Sequence, residues 1–114
     1  MSKDPLEYLK HIRDECKFIL SVTVNDFSKD MLIEDEVQKR AVVRSLEVIG
    51  EATKKIPADF KAKWSHVQWK HMAGMRDRLI HDYMGINYSI VYDVITNKIP
   101  QLYDQIEYII GHEE

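Results

Sequence analysis

The chain has 114 residues, enough for one hydrophobic core and too few for two. Apolar residues at 45% and charged residues at 31% exclude a disordered chain, and no apolar run nears the ~18 residues of a membrane-spanning helix. A net charge of −3 excludes a uniformly basic nucleic-acid clamp. The segment Met1 to Glu7 lacks the basic start and apolar middle of a signal peptide, and the lone Cys16 suits a reducing compartment. A single cytoplasmic domain spanning 1–114 is the expectation, with Cys16 packed as a small apolar residue.

Helical spacing of apolar residues dominates, nothing reads as a strand, and no repeat or linker divides the chain. Asp4 and Pro5 supply a capping acid and a first-turn proline for helix one, whose stripe Leu6, Leu9, Ile12, Cys16, Ile19 and Leu20 runs to about Val22. Asn25–Ser28 is a loop with a capping serine, followed by a short turn over Lys29–Ile33. A long second helix is expected from about Glu34 to Lys55, acidic at its start, basic at its end and stopped by Pro57. It carries a large apolar stripe (Val42, Leu46, Ile49, Thr53, Ile56) and a mostly small one (Ala41, Ser45, Val48, Ala52). Small residues permit close approach, so this helix is central or meets a second copy.

Residues 57–65 read as a connector with one short turn. Ser65 and Gln68 have capping-box spacing, placing the start of helix three near His66, with its end at about Tyr83 before Gly85. Asn87 caps helix four, from Tyr88 to about Ile110, and Pro100 predicts a kink or break near Asn97. The fold class expected is all-α, a four- to five-helix up-and-down bundle.

Charge is unevenly distributed. Residues 51–81 carry seven bases (Lys54, Lys55, Lys61, Lys63, Lys70, Arg76, Arg78) against three acids (Glu51, Asp59, Asp77), plus His66, His71 and His81. Residues 82–114 carry only Lys98 against six acids. The clustering points to a local anionic ligand, although solvated helix faces account for any single charge.

On an ideal helix three, Met72, Met75 and Leu79 form a core stripe, and Lys70, Gly74, Asp77 and His81 form another. Asp77, four residues before His81, would orient the imidazole and favour its protonated form. Arg76 and His81, five apart, flank one edge of the helix, and pairing of two copies would bring two of each together. By spacing alone, Arg78–Asp82 and Asp77–His81 are also ordinary intrahelical pairs. Arg44 and Glu51 share a face of helix two with Glu47 close by; they read foremost as an ion-pair ladder and alternatively as support for the cleft.

The run Gly74 to Tyr83 resembles the signature of HEPN-domain proteins of the HepT toxin type: arginine (Arg76), four residues, histidine (His81), one residue, tyrosine (Tyr83). The resemblance extends to Ala41–Ala52, to Trp69 and to Ile99-Pro100-Gln101-Leu102, hence to nearly the whole chain. Asp77 departs mildly, since asparagine is also common after the arginine. The resemblance implies a homodimer that cuts RNA without a metal or other cofactor, with Arg76 and His81 of both subunits in a shared cleft. Arg76 would stabilise charge on the scissile phosphate and His81 would serve as general acid/base. It also implies a minimal nucleotidyltransferase antitoxin that attaches AMP to Tyr83. The alternative is a non-catalytic dimeric binding subunit of such a nucleotidyltransferase.

Overall fold

The computed structural model describes residues 4–81 and 85–114, and for Ile80 and His81 it describes the backbone only. Asp4 accepts the Leu6 N–H at 2.9 Å and caps α1 (Pro5–Val22), with Pro5 at its start. Two consecutive left-handed residues, Asn25 (φ 57°) and Asp26 (φ 59°), then reverse the chain. Asn and Asp tolerate that region better than other side chains do. The Ser28 hydroxyl caps α2 (Lys29–Glu34), accepting the Met31 N–H at 3.1 Å. Asp35 caps α3 (Glu36–Lys55), so the helix begins after this carboxylate. Both apolar stripes of α3 point inward, with Val42, Leu46, Ile49, Ser45, Ala52 and Thr53 all buried.

The core lies where α1 packs on α3 and on the last helix, α8 (Ile99–Glu113). Leu9, Ile12, Ile19, Leu46, Ile49, Ile106 and Ile109 are fully buried there. Cys16 is buried among them, and desolvation pushes its thiol up to about 12. It is a packing residue, as its position on the first stripe suggests.

Helix three departs from expectation at both ends. After α4 (Ala58–Lys63), the Trp69 indole N–H donates to the Trp64 carbonyl at 2.9 Å, and Val67 N–H donates to the same carbonyl. That turn buries Val67 and Trp69, so α5 starts at Trp69 and ends at Ala73. Gln68 occupies the cap position without a side-chain cap bond, and the Ser65–Gln68 capping box is not formed. Gly74 interrupts the helix, and α6 (Met75–Leu79) follows. Met72, Met75 and Leu79 are buried, as their stripe requires.

The chain does not continue as helix to Tyr83. Ile80–His81 form β1, paired antiparallel with β2 (Gly85–Ile86), Ile80 opposite Ile86 and His81 opposite Gly85. The Asn87 N–H donates to the Leu79 carbonyl at 2.9 Å and closes the pairing. Gly85, at φ 101°, takes a backbone conformation that side-chain-bearing residues rarely adopt. This two-residue pairing corrects the strand-free expectation, but the molecule remains an all-α bundle.

Asn87 caps α7 (Tyr88–Asp93) through its side-chain oxygen, and a π-helical turn (Val94–Lys98) leads into α8. There the Ile99 N–H reaches the Val94 carbonyl. Pro100 donates no hydrogen bond, and its ring would clash with the carbonyl four residues back. Widening the preceding turn, which contains Asn97 where a kink or break is expected, accommodates it. Among the described residues no helix is long and apolar enough to cross a membrane.

Candidate active site

Gly50 decides how closely the motif approaches the bundle. A Cβ added there would lie 3.1 Å from the Met72 carbonyl and 3.7 Å from the Met75 Cβ, so glycine lets α5 and α6 press onto α3. Glu47 stands one turn before Gly50, on the face that receives those helices. It is the residue Arg76 meets: the guanidinium Nε lies 3.8 Å from a Glu47 carboxylate oxygen. Arg76 is 61% exposed and Glu47 25%, so the anchor is half-buried while the cation remains open to solvent.

This ion pair sets aside the ladder with Arg44 and Glu51 for Glu47 and agrees with its alternative reading as support for the site: its partner is on another helix. The pairing joins positions 29 residues apart, so no local periodicity reveals it. The available signal was its place beside Gly50, where a close helix crossing brings a new neighbour.

Asp77 and Arg78 are exposed on α6. The helical relation assumed between Asp77 and His81 does not hold, because α6 ends at Leu79 and His81 belongs to β1. For the same reason Gly74 and His81 do not share a helix face. Backbone pairing with Gly85 fixes the course of the chain at His81, five residues beyond Arg76. The His81 side chain, and Asp82 and Tyr83 entirely, lie outside the described residues. Among the described residues, no three His, Cys, Asp or Glu side chains are grouped so as to hold a metal ion.

What the arrangement offers is an exposed guanidinium held from behind by a carboxylate. That geometry suits an anionic oxygen approaching from solvent, because the cation keeps donors free for it.

Comparison with known proteins agrees with the motif. A family model described as "Ribonuclease HepT-like" matches residues 6–109. A protein named "Putative RNase" from Caldanaerobacter subterraneus subsp. tengcongensis is 46% identical over 98% of this chain and 99% of its own length. Another of that name from Methanocaldococcus jannaschii is 47% identical over 95% of this chain and 88% of its own. A "Probable ribonuclease HepT" from Thermococcus cleftensis is 36% identical over 94% and 96%. No solved structure gives a significant match. Motif, helical architecture and near-complete coverage agree, and the chain belongs to the HepT-like ribonucleases, of the HEPN kind.

Proposed function

We propose that Arg76 and His81 are the catalytic pair of this ribonuclease, acting without a metal in a cleft shared by two copies of the chain. The observation that carries the reading is the exposed Arg76 guanidinium, tethered by Glu47, five positions before His81 in a ribonuclease family. One His81 imidazole takes the proton of a ribose 2′-hydroxyl. That oxygen attacks the adjacent phosphorus and the bond to the 5′-oxygen breaks. The departing oxygen receives a proton from the imidazolium so formed, leaving a 2′,3′-cyclic phosphate and a 5′-hydroxyl. Arg76 donates hydrogen bonds to the non-bridging oxygens as charge builds on them. Asp77, exposed one residue after Arg76, supports the site electrostatically.

The same reading makes the protein the toxin of a toxin–antitoxin pair. A minimal nucleotidyltransferase joins the α-phosphorus of ATP to the Tyr83 phenolic oxygen, and pyrophosphate leaves. The added phosphate brings negative charge seven positions after Arg76 in the motif and repels RNA.

Incubation of the purified protein with total RNA in EDTA tests the nuclease. Arg76→Ala and His81→Ala should each lose at least ~100-fold in rate, the scale of removing a transition-state charge donor or general acid/base. Equal cleavage by all three proteins sinks the assignment. For Tyr83, mass analysis after incubation with the nucleotidyltransferase and ATP should show added AMP, absent in Tyr83→Phe. An unmodified wild-type protein counts against the acceptor role.

A further inference from the structure

A concave surface lies between α5–α6 on one side and the π-helical turn with α8 on the other, with neither Arg76 nor Glu47 in its lining. Its floor is apolar, with Met72, Met75, Val94 and Leu102 all buried. Its rim carries the cations Arg78 and Lys98 beside His66 and His71, all exposed. Three side-chain amides, Gln68, Gln101 and Gln105, complete the lining. Not one lining residue is acidic, in a chain where acids outnumber bases 19 to 16. Lys98 is the only base after residue 81, and it stands at this rim. Among the described residues, no carboxylate pairs with Lys98 or Arg78.

The cavity holds about 250 Å³. Typical sites for larger organic ligands start near ~300 Å³, so one planar heterocycle suits it better than an extended ligand. An apolar floor takes a ring face, amides satisfy a mixed donor and acceptor edge, and cations at the mouth take a flanking phosphate. Each part matches one part of a nucleotide. Arg78 follows Arg76 by two residues, so the two guanidiniums leave α6 on roughly opposite sides. One helix, about 10 Å wide, separates the cavity from the catalytic arginine, and a single strand can touch both.

We infer that this cavity is a nucleotide subsite for single-stranded RNA, holding one unstacked base against Met72, Met75 and Leu102 while Lys98 and Arg78 face its phosphate. The inference rests on the ribonuclease reading for its ligand but not on the catalytic roles of Arg76 and His81. The Gln101 and Gln105 amides read the edge of the base, and Lys98 sets affinity without base preference.

The test measures binding of a short single-stranded RNA to the otherwise intact Arg76→Ala protein, so that the strand is not cut. Lys98→Gln should weaken binding several-fold and reduce the salt dependence by about 0.7 in logarithmic slope, one phosphate contact. Gln101→Ala with Gln105→Ala should weaken binding several-fold for ordinary RNA but not for a strand whose bases are removed. In the active protein, these substitutions should raise KM and leave kcat unchanged. Unchanged affinity in these variants, or an equal loss on base-free RNA when Gln101 and Gln105 are replaced, overturns the subsite. Displacement of the RNA by AMP at comparable concentration would make the occupant a free mononucleotide, and a changed sedimentation coefficient would make the surface a contact between copies; either outcome overturns the inference. If Arg76→Ala cleaves normally while the cavity variants bind poorly, the catalytic assignment fails and the subsite stands.

Discussion

At the scale of single residues, Arg76 and Glu47 separate stability from function. The guanidinium is 61% exposed, so solvent screens the pair, and its loss should change stability by less than about 1 kcal/mol. Positioning is another matter, because a displaced guanidinium forfeits contacts made only in the transition state. Glu47→Gln should keep the melting temperature within a few degrees and lower kcat by roughly tenfold or more with little change in KM. A purely structural Glu47 would give the reverse, lower stability with normal kcat. Cys16 behaves oppositely. Its thiol is raised to about 12 because a buried thiolate has no water around it. The unfolded state therefore releases this proton first, and the stability Cys16 contributes is complete below about pH 9 and declines as pH rises toward 12. Cys16→Ala should flatten that part of the alkaline stability profile, and an equally steep profile would show that the thiol is not the cause. Native Cys16 should also resist thiol reagents at neutral pH and react promptly in denaturant.

At the scale of elements, the bundle was legible wherever burial and local caps agree. Asp4, Ser28 and Asn87 each cap the helix that follows them, and the stripes of α1 and α3 are buried as their periods require. Legibility failed where a tertiary bond overrules a local signal. The Trp69 indole bond to Trp64 displaces the Ser65–Gln68 capping box. The Leu79 carbonyl takes a donor from Asn87, eight residues ahead, and Ile80–His81 leave the helix to pair. Glycines make this contrast measurable. Gly111, on α8, has nothing within 4 Å of an added Cβ, so Gly111→Ala should stabilise by roughly 0.5–1 kcal/mol. Gly50→Ala gains the same helix propensity, but its methyl must fit 3.1 Å from the Met72 carbonyl. Overpacking of that sort costs about 1–3 kcal/mol, so the net change should be destabilising, and paired thermal melts would check both signs. A stabilised Gly50→Ala would mean that α5 shifts at little cost and that the close approach is not required.

For the whole molecule, charge and composition indicated where the chemistry lies but not how it assembles. The basic stretch 51–81 builds α4, α5, α6 and β1, and it supplies both the catalytic candidate Arg76 and the rim residues His66, His71 and Arg78 of the cavity. The pairing of residues 47 and 76, and the cavity that 78 and 98 both line, depend on helix crossings and leave no trace in local spacing. The proposed pairing of two copies is likewise a property of the assembly, and it has a direct consequence. A cleft lined by both subunits contains two arginines and two histidines, and a mixed dimer of Arg76→Ala with His81→Ala retains one of each. Mixing the two inactive proteins under conditions that exchange subunits should therefore restore a measurable fraction of the wild-type rate. The recovered rate should rise to a maximum near equal amounts of the two variants, because that composition contains most mixed dimers. A site built within one chain predicts no recovery at any ratio, since every chain in the mixture lacks one catalytic group. Subunit exchange can be followed separately with fluorescent labels, so mixed dimers that form without recovering activity would reject the shared cleft while leaving dimerisation intact.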